Sequence, residues 1–347
     1  MGMFRLKIGV LTGGGDAPGT NAVIRAIVRK AIKQYDDEVV GIRDGWHGLL
    51  EGDFTPLDQE AITAILTRGG SILGFSRTNP FKSKSGVQRV LQNMKKSGIE
   101  AVIAIGGDDT LGVACKLGDF GIRCVGVPKT IDNDLSGTDY TFGFNTAVTI
   151  ATEALDRLRT TAEAHQRVII LEVMGRYTGW IAFESGLAGG ADVILIPEKP
   201  FDVSEICNYI SQRQERGRNF SVIVVSEGAK PKDGKEIIYS DGLDEFGNVR
   251  LGGVGYYLGR EIEKCIDTET RVVVLGHIQR GGTPTAFDRI LGTRLGLAAI
   301  DFVHEGKFGY MVGVQGNKIV SVALKDVAGK RKTVSPELYE IANVFFG

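Results

Sequence analysis

One pattern constrains this chain more than any other: short runs rich in Val and Ile alternate with stretches of helical spacing. The runs fall at 7–12, 39–43, 101–105, 124–127, 167–173, 193–196, 221–225 and 272–275. The helical stretches lie between them, at 21–34, 87–97, 145–163, 205–214 and 286–303. In the third of these, Ala147, Ala151, Ala154, Leu155 and Leu158 share one apolar stripe. Runs that are apolar on both faces need cover on both, which is the expectation for parallel strands between helices. Repeated βαβ units predict an α/β fold with open, doubly wound, mainly parallel sheets, and 347 residues suffice for two of them. A boundary is expected near residues 136–143, and 309–324 reads as a late hairpin turning at Gly316-Asn317.

Glycine supplies the next constraint. The chain has 48, about twice the usual share. With 43% hydrophobic residues, nine prolines and no Gly-X-Y period, neither a collagen-like nor a disordered chain fits. Pairs and triples at 13–15, 69–70, 106–107 and 281–282 fall in the loops at strand ends, where open α/β sheets bind ligands. Others, such as Gly189-Gly190 and Gly252-Gly253, read as ordinary turns. A balance of 41 basic against 42 acidic residues argues against nucleic acid or a membrane surface as partner. The basic cluster at 325–332 reads as a solvated loop. Four scattered cysteines without a CxxC spacing suggest a reducing cytoplasm. The N-terminus lacks a signal-peptide core, and Leu6 stands where a myristoylation signal starting at Met1-Gly2 needs Ser or Thr. No apolar run approaches the 18 residues of a membrane span, so the expectation is a cytoplasmic protein.

Three loops carry chemistry. Gly13-Gly14-Gly15-Asp16-Ala17-Pro18-Gly19 is neither a P-loop nor a dinucleotide GxGxxG. It can still offer bare N–H groups and a helix N-terminus to an anion, with a plain βα turn as the competing account. Gly106-Gly107-Asp108-Asp109-Thr110 sets two carboxylates side by side at a strand end, where they need solvent, a cation or donors. One of them can hold Mg²⁺; helix capping by Asp108, Asp109 or Thr110 is the alternative. Pro128-Lys129-Thr130-Ile131-Asp132-Asn133-Asp134 brings an ammonium, a hydroxyl and two carboxylates together, as phosphoryl transfer requires, though Asn-Asp is also good turn chemistry. Arg167, Arg176, Arg271, His277 and Arg280 flank later strands or their glycine loops and suit an anionic phosphoester. Arg159, His165, Trp46 and Trp180 read as core or interface residues.

TGGGDAPGTNA, GGDDT, PKTIDND, TDYTFGFNTA, HQR, EVMGRYTGW and LGHIQRGGTPTAFDR, in this order and spacing, resemble the 6-phosphofructokinase family from about residue 6 to about 315. The resemblance implies two Rossmann-like domains with the active site in the cleft between them, and a homodimer or homotetramer. Its domains would be 1–142 for the phosphoryl donor, 143–277 for the sugar phosphate, and return segments at 278–347. Carried over by position, Asp132 is the base facing the sugar 1-hydroxyl, with Thr130 and Asp134 in the same loop. Asp108 is linked to Mg²⁺, Gly15 lies against the donor phosphates, and Arg77 bridges donor and acceptor. Met174, Gly175, Arg176, Glu227, His277 and Arg280 match the sugar-phosphate positions, while Arg167 and Arg271 match residues that reach in from a neighbouring subunit.

Asp109 and Lys129 stand where ATP users of the bacterial type resemble GGDG and PGTIDND; GGDD with PKTIDND resembles the pyrophosphate-dependent branch. A carboxylate at 109 adds bulk and repulsion against a nucleotide tail, and an ammonium at 129 adds a cation near the transferred group. Two charges a few ångströms apart interact by about 4 kcal/mol at an effective dielectric of 20, before solvation is subtracted. A third of that shifts donor preference about tenfold. Gln59 occupies a position where the family's effector site has Arg, and Thr78-Asn79-Pro80 replaces a more apolar stretch after Arg77. The resemblance therefore implies Mg²⁺-dependent transfer from pyrophosphate to fructose 6-phosphate, with Lys129, Thr130, Asp132 and Arg176 as the catalytic set. ATP as donor, a more distant kinase sharing the Gly-Asp loop, and a non-catalytic sugar-phosphate sensor are the alternatives.

Overall fold

The structure, a computed structural model, describes residues 5–232, 238–243 and 249–346, so the Met1-Gly2 start lies outside the described residues. The chain begins β1 (Lys7–Thr12), α1 (Thr20–Lys30), β2 (Glu38–Ile42), α2 (Trp46–Glu51), β3 (Phe54–Pro56), α3 (Gly86–Ser97) and β4 (Ala101–Gly106). It continues α4 (Asp108–Gly118), β5 (Cys124–Thr130), β6 (Phe142–Gly143), α5 (Phe144–His165), β7 (Val168–Val173), α6 (Trp180–Ala188) and β8 (Val193–Leu195). Next come α7 (Val203–Glu215), β9 (Ser221–Ser226), β10 (Ile238–Leu243), β11 (Val249–Leu251), α8 (Val254–Cys265) and β12 (Thr270–Val274). The last elements are α9 (Ala286–His304), β13 (Tyr310–Gln315), β14 (Lys318–Ala323), α10 (Leu324–Val327) and α11 (Pro336–Asn343). These form two compact bodies, each with its own sheet. The first takes the chain up to Thr130, Leu135–Asn145 and Arg280–Arg331; the second takes Ile131–Asp134, Thr146–Gln279 and the chain from Lys332 on.

In the first body the strand order is β14-β13-β5-β4-β1-β2-β3, with β6 paired to β5. Only the outermost pairs, β13 with β14 and β2 with β3, are antiparallel. The expected α/β class and the hairpin both hold. One face packs Ile8, Val10, Ile103 and Val125 against Ile24 and Ile27 of α1 and Leu295 and Ala299 of α9. The other packs Leu11, Ile42 and Val102 against Trp46, Val90, Leu111 and Leu117 from α2, α3 and α4. Fully burying each large aliphatic side chain contributes about 1.5–3 kcal/mol, which is why both faces of these strands are Val- and Ile-rich. β1 lies between β2 and β4, so the chain changes winding direction there and the loops after β1 and β4 open side by side.

The helix expected at 21–34 is shorter. It ends at Lys30 and a π turn follows over Ala31–Tyr35. The turn brings Tyr35 to stack on His304 at 3.6 Å and to donate its hydroxyl to Asp301, contacts that come from far along the chain. β5 also runs past the expected 124–127, because Lys129 and Thr130 pair with Phe142 and Gly143 of β6.

The second body has a parallel sheet in the order β12-β7-β9-β8. Val168, Ile170, Ile223 and Val225 pack against Ile206 and Ile210 of α7 and Val254, Leu258 and Ile262 of α8. Buried Glu172, in β7, accepts the N–H groups of Gly253 and Gly255 at 2.9 and 2.8 Å and so satisfies amides that α8 leaves unpaired at its start. α11 is pinned to the edge strand β8 by the Tyr339 hydroxyl, which donates to Ile194 O at 2.6 Å. The cysteines Cys115, Cys124, Cys207 and Cys265 are free thiols.

Candidate active site

Apart from Arg167 and Arg271, the candidate residues of each body lie in the loops at or beside the C-terminal ends of its strands. In the first, Gly13 N–H donates to Ile105 O at the end of β4, and Gly14 N–H donates to Ser76 O, both at 3.0 Å. The loop after β1 is thus clasped between β4 and the segment that leads directly into half-buried Arg77. Thr110, buried in α4, explains two of the glycines. A Cβ on Gly13 would lie 2.5 Å from its Oγ1, and one on Gly106 would lie 2.3 Å from its Cβ. At Gly15 the neighbour is cationic: a Cβ there would lie 2.8 Å from Arg280 Nη1. The carbonyl of Gly15 accepts the ammonium of Lys129, which is buried and sits 5.0 Å from the centre of the Phe75 ring. Gly15, Arg77, Lys129 and Arg280 are therefore brought into one neighbourhood.

Asp108 and Asp109 occupy the first turn of α4, where the helix dipole favours negative charge. Asp108 is half-buried and Asp109 exposed. The Asp108 carboxylate accepts the Gly329 N–H at 2.7 Å. That donor belongs to the basic 325–332 segment expected to be a solvated loop. Its Lys325, Lys330 and Arg331 side chains are exposed, but Leu324 and Val327 are buried and the backbone engages the acidic loop.

In the second body the ends of β7, β9 and β12 carry Met174-Gly175-Arg176, Glu227 and His277. Arg176 N–H donates to Glu227 Oε1 at 3.1 Å, and Glu227 N–H returns to Val173 O at 2.8 Å. Arg176 is held at φ 53°, a left-handed conformation that non-glycine residues rarely adopt, and its guanidinium lies 5.5 Å from the Tyr177 ring centre. Asp132 and Asp134 are half-buried on either side of buried Asn133, which is also left-handed, at φ 52°. Thr178 Oγ1 is 3.3 Å from both Asp132 O and Gly175 O, so one hydroxyl spans the two loops.

Arg167 and Arg271 do not join this group. They lie at the N-terminal ends of β7 and β12, and both pair with Glu269. Six residues of β7 separate Arg167 from Met174, a span of about 23 Å at roughly 3.3 Å per residue. Of the basic residues read from the sequence as one phosphoester pattern, Arg280 lies in the first body beside Gly15, and the other four are split between opposite ends of the second body's sheet. Trp46 is a core residue, while Trp180 is half-buried and donates its indole N–H to Lys332 O. Of the residues that hold these loops, Thr178 lies within the EVMGRYTGW motif and Gly329 and Lys332 within the basic 325–332 segment, but none was read as a site residue, and Glu198 carries no motif.

A sequence model of the family described as phosphofructokinase matches residues 7–303. The pyrophosphate–fructose 6-phosphate 1-phosphotransferase of Streptomyces coelicolor is 58% identical over 99% of this chain and 100% of its own length. ATP-dependent 6-phosphofructokinase 3 of the same organism is 52% identical over 96% of this chain and 98% of its own. The crystal structure of Pichia pastoris phosphofructokinase in the T-state superposes with a TM-score of 0.83 at 30% identity, covering 99% of this chain; this chain spans 36% of that longer one.

Proposed function

The chain belongs to the phosphofructokinase family, and on that premise we propose that it moves a phosphoryl group from pyrophosphate to the 1-hydroxyl of fructose 6-phosphate, giving phosphate and fructose 1,6-bisphosphate. The observation that carries the donor is the pair Asp109 and Lys129, taken with the 56–58% identity to three relatives named for pyrophosphate against 52% to one named for ATP. Lys129 is buried against the Gly15 carbonyl, which supports its role beside the transferred group. Asp109, exposed in the first turn of α4, opposes the extra phosphate and nucleoside of ATP.

The Gly15 backbone and Arg77 bind the donor phosphates. Lys129, with Thr130 beside it, stabilises charge on the transferring group, a role worth most where water is excluded. Asp132 orients the sugar 1-hydroxyl and takes its proton. An aspartate is a weak base, so in a loose transition state its main contribution is alignment, with the proton moving late. Asp134 supports the same loop. Met174, Gly175, Arg176, Glu227, His277 and Arg280 bind the sugar phosphate, with Arg176 also counted in the catalytic set. Arg167 and Arg271 serve the sugar-phosphate site of a neighbouring copy in a homo-oligomer, a reading supported by their distance from Arg176 along β7.

No group of three or more His, Cys, Asp or Glu side chains suited to a metal converges among the described residues. Mg²⁺ keeps several waters and is commonly held by one or two carboxylates together with substrate phosphates, and Asp108 at the start of α4 fits that kind of site. Bound there with substrate, the ion neutralises charge shared between the phosphates. Among the described residues no helix is long and apolar enough to cross a membrane.

Initial rates with pyrophosphate and with ATP at matched Mg²⁺ test the donor. Pyrophosphate is expected to give the higher kcat/KM, and a clear ATP preference overturns it. Because a phosphoanhydride without a nucleoside is exchanged for a phosphomonoester, the reverse reaction with phosphate is expected to be readily measurable in the same assay.

A further inference from the structure

Asn133 separates the two aspartates of the loop that carries Asp132, and its left-handed backbone is buried. Such a conformation persists only where the surroundings impose it. Both flanking carbonyls are tied. Thr178 Oγ1 lies 3.3 Å from Asp132 O, and the N–H of Lys332 donates to Asp134 O at 2.8 Å. Lys332 belongs to the C-terminal return, beyond the residues matched by the family model. It is itself held on three sides. Trp180 Nε1 donates to its carbonyl at 2.8 Å, and its ammonium sits 5.2 Å from the indole centre. Two residues on, Val334 N–H donates to Glu198 Oε1, the same atom that accepts Gly179 N–H, each at 3.0 Å.

We propose that residues 332–334, with Trp180 and Glu198, form a brace that positions the Asp132–Asp134 turn for catalysis. The brace touches no substrate. It couples the conformation of Asn133 to the start of α6, so that the direction of the Asp132 carboxylate depends on a segment from the end of the chain. Glu198 anchors both sides of this arrangement, and Trp180 supplies a side-chain donor to a backbone carbonyl that any residue at 332 would present. Misplacing a reacting group by about 1 Å can cost about a hundredfold in rate, so a brace of this kind acts on turnover rather than on affinity. The proposal rests on Asp132 as the group that orients the hydroxyl.

Three variants of the full chain test it. Lys332→Pro removes the N–H that reaches Asp134 together with the ammonium, so its comparison with Lys332→Ala isolates the N–H; Arg331 forms a β-bridge with Leu135, which suits the extended backbone favoured before proline. Lys332→Ala keeps the N–H and removes the ammonium. Trp180→Phe removes the indole donor and keeps a ring. With both substrates saturating, Lys332→Pro is expected to lower kcat at least tenfold and Trp180→Phe at least threefold. KM for fructose 6-phosphate and for pyrophosphate should move less than twofold, and Lys332→Ala should retain at least threefold more turnover than Lys332→Pro. Wild-type kcat in Lys332→Pro and Trp180→Phe, equal losses in the two Lys332 variants, or losses confined to KM overturn the brace. Should Lys332→Pro fail to fold, Trp180→Phe decides by the same split. Asp132→Asn, measured alongside, separates the two ideas. Full activity in that variant refutes the role of Asp132, whereas its loss beside normal brace variants refutes the brace alone.

Discussion

In the first body, the loops at the strand ends are held by close approach in addition to the backbone bonds of Gly13 and Gly14. Gly13 and Gly106 close on Thr110, and Gly15 closes on Arg280. In the second body, the corresponding loops meet through polar bonds: Arg176 N–H to Glu227, Thr178 to Asp132 O, and Lys332 N–H to Asp134 O. Two non-glycine residues there, Asn133 and Arg176, are held left-handed. Close packing fixes a loop by excluding alternatives, so a change in volume is felt as stability. A bonded loop keeps its volume when one bond is lost but changes its aim, and the loss is felt as rate. Substitutions in the two regions should therefore separate into effects on melting and effects on turnover.

The largest expected effect is that of Asp132→Asn, which keeps the shape of the bonded loop and removes its proposed base. Turnover should fall by about 10²–10⁴-fold, the usual range for a general base. KM for fructose 6-phosphate and the melting temperature should stay close to wild type; a parallel collapse of affinity or stability would break the contrast. Asp109→Gly should come next, raising kcat/KM for ATP relative to pyrophosphate about tenfold, as the removal of one repulsive charge near the donor implies. An unchanged donor ratio would mean that the exposed end of α4 does not face the donor.

Gly13→Ala probes the packed region. Its new methyl group would press on buried Thr110, and overpacking of this kind costs about 1–3 kcal/mol. A loss of several degrees in melting temperature is expected, exceeding that of Asp132→Asn. A variant that melts normally yet loses turnover would show that packing does not set this loop.

The smallest effect concerns Glu184, in the helix that follows the Arg176 loop. Burial pushes its carboxyl up to about 7 from 4.5, with Lys332 pulling partly the other way. The folded chain therefore keeps a proton that the unfolded chain releases, so this group makes stability fall as pH rises from about 4.5 to about 7 and then level off. Glu184→Gln should remove that slope. Thermal melts should show it more stable than wild type at pH 8 and indistinguishable at pH 4; the reverse order would mean that the carboxylate is stabilised where it sits.

Local chemistry made the elements legible. β1, β4, β7 and β9 are fully or nearly fully buried along their length, and only Val- and Ile-rich runs satisfy that, so their sequence announces them. Glycine pairs announce the packed loops for a similar reason, because a missing side chain is itself a local property. The charged candidates stand out because Asp, Lys and Arg at strand ends are costly to leave without partners. Tertiary structure alone decided which of them meet. It set Arg167 and Arg271 on Glu269 at the far end of the sheet from Arg176, ended α1 at Lys30 so that Tyr35 could stack on His304, and brought Gly329 and Lys332 to the two acidic loops. In those last contacts the donors are backbone N–H groups, on the Asp108 carboxylate and the Asp134 carbonyl, and nearly every residue carries an N–H, so no side-chain pattern marks the donors. Which amide reaches which carbonyl is determined only when the chain has closed on itself.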